Sequence, residues 1–100
     1  MNQNKFFKEN KILRQIDFKT ILILFKDHAE AMMLERGLNE NDVMSILKNG
    51  FVVDNQSVSA QEHKWLVEGK SIDGRRSRVV VGIATDYLRV EIITVIDKTR

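Results

Sequence analysis

An α+β fold, with two helices packed on one face of a mainly antiparallel sheet of four to five strands, is predicted by three observations. Between Lys26 and Gly50, two short helical patterns each run into a glycine. After Gly50 come four apolar, β-branched runs separated by polar turn residues. Helices first and strands after them argue for an α+β arrangement rather than for the alternating units of a parallel sheet. The chain of 100 residues is 43% hydrophobic, which suits a single core burying roughly two-thirds of the unfolded surface.

Taken in order, residues 1–19 read as a basic N-terminal segment. Phe6, Phe7, Ile12, Leu13 and Ile16 recur at helical spacing within it and predict a short docking helix. Residues 20–100 read as one domain. It opens with Thr20–Phe25, TILILF, whose β-branched and apolar content predicts a short buried strand; a backward extension of the next helix is the competing reading. Asp27 is a suitable helix N-cap with Glu30 three residues on, the spacing of a capping box. Ala29, Met32, Met33 and Arg36 keep helical spacing, and Gly37 supplies a left-handed stop. A second helix starts near Asn39, with Asp42 at its third position. It sets Val43, Ile46 and Leu47 on one stripe and ends at Gly50. Helices this short do not persist alone in water, so both must pack on a sheet.

The strands follow. Phe51–Asp54 is short. His63–Glu68 alternates His63, Trp65 and Val67 with Lys64, Leu66 and Glu68. Asp73-Gly74 is a hairpin turn signal. Arg76–Ala84 sends Val79, Val81 and Ile83 to the core face, and Arg76, Arg78 and Val80 to the other. Asp86-Tyr87 turns the chain, and strict alternation over Leu88–Ile96 sets Leu88, Val90, Ile92, Thr94 and Ile96 on one side.

Composition excludes several classes. With no cysteine, disulfide scaffolds and thiolate zinc sites are ruled out. The longest apolar run, Ile21–Phe25, is too short to span a bilayer, and the N-terminus lacks the apolar centre of a secretory signal. A cytoplasmic protein with no membrane partner is expected. The two histidines show no metal-ligand spacing, and no glycine-rich phosphate loop is present. No cofactor is therefore expected. The net charge is only +2, but Lys5, Lys8, Lys11 and Arg14 form one basic run, and Lys70, Arg75, Arg76 and Arg78 another. Such runs serve as solvated faces or as phosphate-binding footprints.

His28 is the sharpest candidate for chemistry. An imidazole titrates near neutrality and suits general acid or base work in cleaving RNA by attack of the 2′-hydroxyl; the alternative is a histidine bridging helix to sheet. Arg36, two turns on, has the fork geometry to hold a phosphate, or else to bond the carbonyls at its own helix end. Arg76 and Arg78, two residues apart on one strand face, can grip one phosphate or form a charged, aggregation-resistant edge. Lys64 is a further substrate-binding candidate, with a purely solubilising role as the alternative. Trp65 can stack a base but fits a core position better. His63, on the same face, is a weaker acid or base candidate.

The stretches His28-Ala29, Glu35-Arg36-Gly37, Asn39-Glu40-Asn41-Asp42, Lys48-Asn49-Gly50, Trp65–Gly69, Val79–Ile83 and Ile93-Thr94-Val95 together carry a resemblance. Over about residues 20–97 the chain resembles a small bacterial domain-of-unknown-function family. That family is similar in architecture to the RelE/ParE toxins and to the wider barnase–EndoU–colicin–RelE group of metal-independent ribonucleases. The resemblance implies a RelE-like fold and a toxin-like endoribonuclease of a toxin–antitoxin system, with RNA and a protein antitoxin as partners. It implies catalytic roles for His28, Arg36 and Thr94, the last by bonding a phosphate oxygen, and substrate contacts from Lys64, Arg76 and Arg78. Family members often carry an arginine one helical turn after the histidine, where this chain has Met32. That departure leaves a second reading, a non-catalytic module binding protein or nucleic acid on the same fold, and a third, a purely structural accessory subunit that forms a homodimer through an exposed edge strand; a monomer or a homodimer is expected.

Overall fold

In the computed structural model, which describes residues 5–97, three helices and five strands follow one another. They are α1 (Phe7–Gln15), β1 (Leu22–Phe25), α2 (Asp27–Arg36), α3 (Glu40–Asn49), β2 (Phe51–Asn55), β3 (Glu62–Lys70), β4 (Arg76–Ala84) and β5 (Arg89–Asp97). Residues 1–4 of the expected N-terminal segment and residues 98–100 of the expected domain lie outside the described residues. The strands form one sheet in the order β1-β5-β4-β3-β2. β2 to β5 make an antiparallel meander, while β1 pairs parallel to β5. The α+β class stands, but the sheet is mixed where a mainly antiparallel one was expected. The reason is the α2–α3 hairpin: α2 packs on β5 and α3 on β3. It carries the chain from one edge of the sheet to the other, and the meander then returns to run beside β1.

The expected N-terminal helix forms and closes the β2 edge. Leu13 enters the core. Asn10 acts like a strand neighbour: its Oδ1 accepts from the Val52 N–H at 2.6 Å and its Nδ2 donates to the Val52 carbonyl at 3.4 Å. Asn55 Nδ2 donates to Glu9 at 2.8 Å. Arg14, expected in a basic patch, is a structural residue instead. Its guanidinium donates to the Lys48 carbonyl at 2.5 Å and to the Gly50 carbonyl, which supplies partners for the exposed carbonyl end of α3.

Strand and helix readings through 20–50 resolve as follows. TILILF yields the strand β1, not a helix extension, because its alternate residues Ile23 and Phe25 pack on the core. α2 begins one residue earlier than expected. Lys26 holds the N-cap position without a side-chain cap, and Asp27 is the first helical residue, placed with Glu30 where the helix dipole favours negative charge. Gly37 is left-handed at φ 68°, as expected. Arg75, not Arg36, bonds the end of that helix, donating to the Arg36 and Gly37 carbonyls at 2.6 and 2.8 Å. α3 has the capping box read from the sequence: the Asp42 N–H donates to Asn39 Oδ1 and the Asn39 N–H to Asp42 Oδ2, both at 2.9 Å. The second oxygen of Asp42 accepts from the Ile72 N–H at 3.1 Å. One buried carboxylate therefore starts α3 and ties the β3–β4 turn to it.

The core lies between the helices and one sheet face. Val43, Ile46 and Leu47 of α3 and Ala29 and Met33 of α2 meet Trp65, Val67, Val79, Val81, Ile83, Val90, Ile92 and Val95. Gly50 ends α3 for a reason unlike that of Gly37. Its backbone is extended, at φ −92° and ψ −172°, but a Cβ there would collide with the Glu68 and Ile46 carbonyl oxygens. A Cβ on Gly69 would lie 2.6 Å from the Ile46 carbonyl oxygen and 3.0 Å from the Gly50 Cα. The two glycines face each other, and their lack of side chains lets α3 reach the backbone of β3.

Gly50→Ala and Gly69→Ala are each expected to cost about 1–3 kcal/mol of unfolding free energy, because backbone cannot yield to a methyl group. Gly37→Ala, in open space, is expected to lose only about 1 kcal/mol through its left-handed φ. Urea denaturation of the three variants measures both. In the β3–β4 turn, the Ser71 hydroxyl donates to the Asp73 carboxylate. That bond, opposed by desolvation and helped by the Arg75 charge, lowers the Asp73 pKa below the ordinary aspartate value. Since the folded value is the lower one, this carboxylate stabilises the fold above its unfolded pKa, and the contribution is lost as pH falls through the folded value. An NMR titration of the Asp73 carboxyl is expected to show a midpoint below that of an unstructured aspartate, and Ser71→Ala is expected to raise it.

Candidate functional site

β1 passes into α2 without a loop: the Lys26 N–H still donates to the Ile92 carbonyl at 2.9 Å, and Asp27 is already helical. This abrupt change of direction leaves His28 exposed at the end of the sheet. It is buried under neither Met32 nor Trp65. His28 lines an open groove of about 550 Å³ with Leu24, Phe25, Lys26, Asp27 and Ile93.

Ile93, which lines that groove, sits at a bulge in β5. Val80 pairs with Thr94 and Val81 with Ile92, so Ile93 is the extra residue. The bulge reverses the inside–outside alternation beyond it. The expected single row Leu88, Val90, Ile92, Thr94, Ile96 therefore breaks. Val90, Ile92 and Val95 face the core, whereas Thr94 and Ile96 turn to the face opposite the helices. Thr94 thereby leaves the apolar row and joins Lys64, Arg76 and Arg78, which fall on that open face as their alternation predicts.

Cross-strand register arranges the open face in rows. Leu66, Val80 and Thr94 lie side by side across β3, β4 and β5. Glu68, Arg78 and Ile96 form the row on one side, and Lys64, Gly82 and Glu91 that on the other, with Leu24 of β1 next to Glu91. The face thus has a partly apolar centre with charges at both ends. Glu68 sets the electrostatics of one end: Arg78 Nε donates to its Oε1 at 2.7 Å, and Arg76 Nε lies 4.0 Å from its Oε2. The guanidiniums are held in place and partly neutralised. A phosphate displacing that carboxylate would meet the same Nε–H donor of Arg78.

Arg36 stands apart from the groove. It lies eight residues after His28, which at the helical rise is about 12 Å along α2, and its Nη1 pairs with Glu35 Oε1 at 2.8 Å. His28, Arg36 and Arg78 do not converge on one cleft. The structure brings together Lys64, Arg76, Arg78 and Thr94 on the open face, sets His28 at the edge of that face beside the bulge, and leaves Arg36 at the far end of its helix.

Two relevant residues escaped the sequence reading. Glu68 had a usable signal, because a hairpin centred on Asp73 pairs position 68 with 78. Lys26, beside His28 in the groove, had none, since its part depends on how β1 meets α2. His63 is stacked between two rings, with centroids 5.0 Å from Trp65 and 6.0 Å from Tyr87, and its Nε2 lies 3.4 Å from the Tyr87 hydroxyl. Trp65 is a core residue. This cluster is on the helix side of the sheet, away from Lys64 and Thr94.

Among the described residues no three His, Cys, Asp or Glu side chains are grouped to hold a metal ion, and no helix is long and apolar enough to cross a membrane. Comparison with known proteins places this arrangement in a family without assigning it an activity. No curated protein and no solved structure matches the chain. Residues 25–97 match the family described as "Domain of unknown function (DUF4258)", a stretch that starts at the last residue of β1 and includes His28, the α2–α3 hairpin and the whole β2–β5 meander. The chain therefore belongs to this DUF4258 family of domains.

Proposed function

We propose that this protein is a RelE-type, toxin-like, metal-independent endoribonuclease, with RNA lying across the open sheet face and a protein antitoxin as its neutralising partner. The β5 bulge is the observation that carries this reading. It turns Thr94 onto the face that holds Lys64, Arg76 and Arg78, next to Ile93, which lines the groove of His28. A phosphate near Thr94 is then bordered by an exposed imidazole on one side and by guanidiniums on the other.

In this scheme His28 takes the proton from the ribose 2′-hydroxyl. The 2′-oxygen bonds to phosphorus, and the bond from phosphorus to the 5′-oxygen breaks. The departing oxygen is protonated by water, leaving a 2′,3′-cyclic phosphate and a 5′-hydroxyl. Arg78, Arg76 and Lys64 offset the charge that develops on the phosphorane, and Thr94 donates to one of its oxygens. Arg36, remote from this point, would act on a neighbouring phosphate of the strand. The helix pair packed on a strand meander supports the RelE-like architecture. Met32, one helical turn after His28, stands where the resemblance implies an arginine, so the scheme runs without that cation.

A second reading, a non-catalytic binding module, is favoured by one contact, the 2.7 Å pairing of Arg78 with Glu68. A guanidinium committed to its own carboxylate acts as part of the surface, not as a phosphate trap. A double-mutant cycle on Glu68 and Arg78 weighs that contact. A coupling of about 0.2–1 kcal/mol is the range for a partly exposed pair, and a value at the lower end leaves Arg78 available to a ligand.

Induced expression of the wild type beside His28→Ala, scored for growth and RNA integrity, tests the nuclease reading. Growth arrest with RNA cleavage is expected for the wild type, and loss of both for the variant. Soluble wild-type protein that neither arrests growth nor cleaves any of several RNAs defeats the reading. Arrest with intact RNA transfers the conclusion to the binding module.

A further inference from the structure

The two edges of the sheet are treated in opposite ways. The β2 edge is closed: α1 lies along it, Asn10 bonds both the N–H and the carbonyl of Val52, and Glu9 holds Asn55. At the β1 edge no further strand is paired among the described residues. There the Leu22 N–H donates to the Leu88 carbonyl and the Lys26 N–H to the Ile92 carbonyl. Alternate residues of a strand direct their N–H and carbonyl groups to opposite sides. Ile23 and Phe25 therefore direct theirs outward. The flanking side chains are apolar and exposed, Leu22 at 56% and Leu24 at 39%. An edge of this kind is a template for another strand, and protective lysines or prolines are absent from Leu22–Phe25 itself.

We infer that β1 is a homodimer interface, in which a second copy of this chain adds its own β1 antiparallel to the first about a two-fold axis at Ile23. The self-complementarity of the segment selects this occupant and this register. With Ile23 exchanging both backbone bonds with Ile23 of the second copy, Ile21 stands opposite Phe25 and Leu22 opposite Leu24. The two exposed leucines of each chain then cover those of the other on the open face. The contact is isologous, each chain offering the same two exposed leucines of β1 to the other. The alternative two-fold at Leu24 sets Leu22 against Lys26 and leaves an apolar side chain beside a charge. Because Leu24 also lines the His28 groove, Leu22 of the second copy borders that groove and lengthens its apolar wall. This assembly holds whether or not the protein acts on RNA.

Sedimentation across a range of concentrations is expected to show a concentration-dependent dimer for the wild type, and a monomer with an unchanged circular dichroism spectrum for the double variant Leu22→Lys with Leu24→Lys. The register is read separately by cross-linking, which the absence of native cysteine makes unambiguous. Leu22 and Leu24 form a pair without mutual backbone bonds, with Cα atoms about 4.5 Å apart, within disulfide range. Mixed Leu22→Cys and Leu24→Cys proteins are expected to form a mixed disulfide under mild oxidation, and each variant alone to stay uncrosslinked. A wild type that remains monomeric throughout, a dimer that the lysines leave intact, or cross-linking of Leu24→Cys with itself overturns the inference.

Discussion

The close approach of α3 to β3 at Gly50 and Gly69 is the constraint on which the rest of the fold is built. Two backbones meet where neither carries a side chain, and this places Ile46 and Leu47 directly on Trp65 and Val67. A methyl at either position would push the helix off the sheet and open the core that α2 and α1 complete. The contact also explains why the connection from α3 to β2 is so short: the chain leaves the helix already against the strand with which it will pair.

Two other devices hold α3 at that distance. At its start, Asp42 uses one oxygen to cap the helix and the other to hold Ile72, so the β3–β4 turn cannot move independently of α3. At its end, Arg14 of α1 covers the Lys48 and Gly50 carbonyls. Arg75 does the same for α2. Three charged side chains in basic or acidic stretches thus serve helix ends, and the net basic surface is smaller than the sequence suggests. Positive charge on the open face comes from Lys64, Lys70, Arg76, Arg78 and Arg89, and Glu68 and Glu91 moderate it.

Much of this was legible in advance. The alternation of β3 and β4 placed Trp65, Val67, Val79, Val81 and Ile83 in the core and Arg76 and Arg78 outside it, because a strand without irregularity has a period of two residues. The Asn39–Asp42 box and Gly37 were readable because capping depends on neighbours within a few positions. Legibility failed wherever the deciding atoms were distant in sequence. Thr94 changed faces through a bulge set by pairing with β4, and Ile93 carries no residue-type signal for it. Gly50 was recognised as a stop without its reason, since the Glu68 carbonyl that requires a glycine there lies on another strand. The N-cap moved from Asp27 to Lys26 because β1 keeps bonding to β5 up to that point.

The sequence by itself determined the class of the fold, the order of its elements and the caps and turns that bound them. These follow from local spacing, capping and composition, which act over one or two helical turns or one hairpin. Tertiary structure alone decided that β1 runs parallel beside β5, that Thr94 shares a face with the arginines, that Arg36 stands away from His28, and that one sheet edge is closed while the other is open. Each of these depends on which strand lies beside which, and pairing between residues far apart in the chain is a property of the assembled sheet.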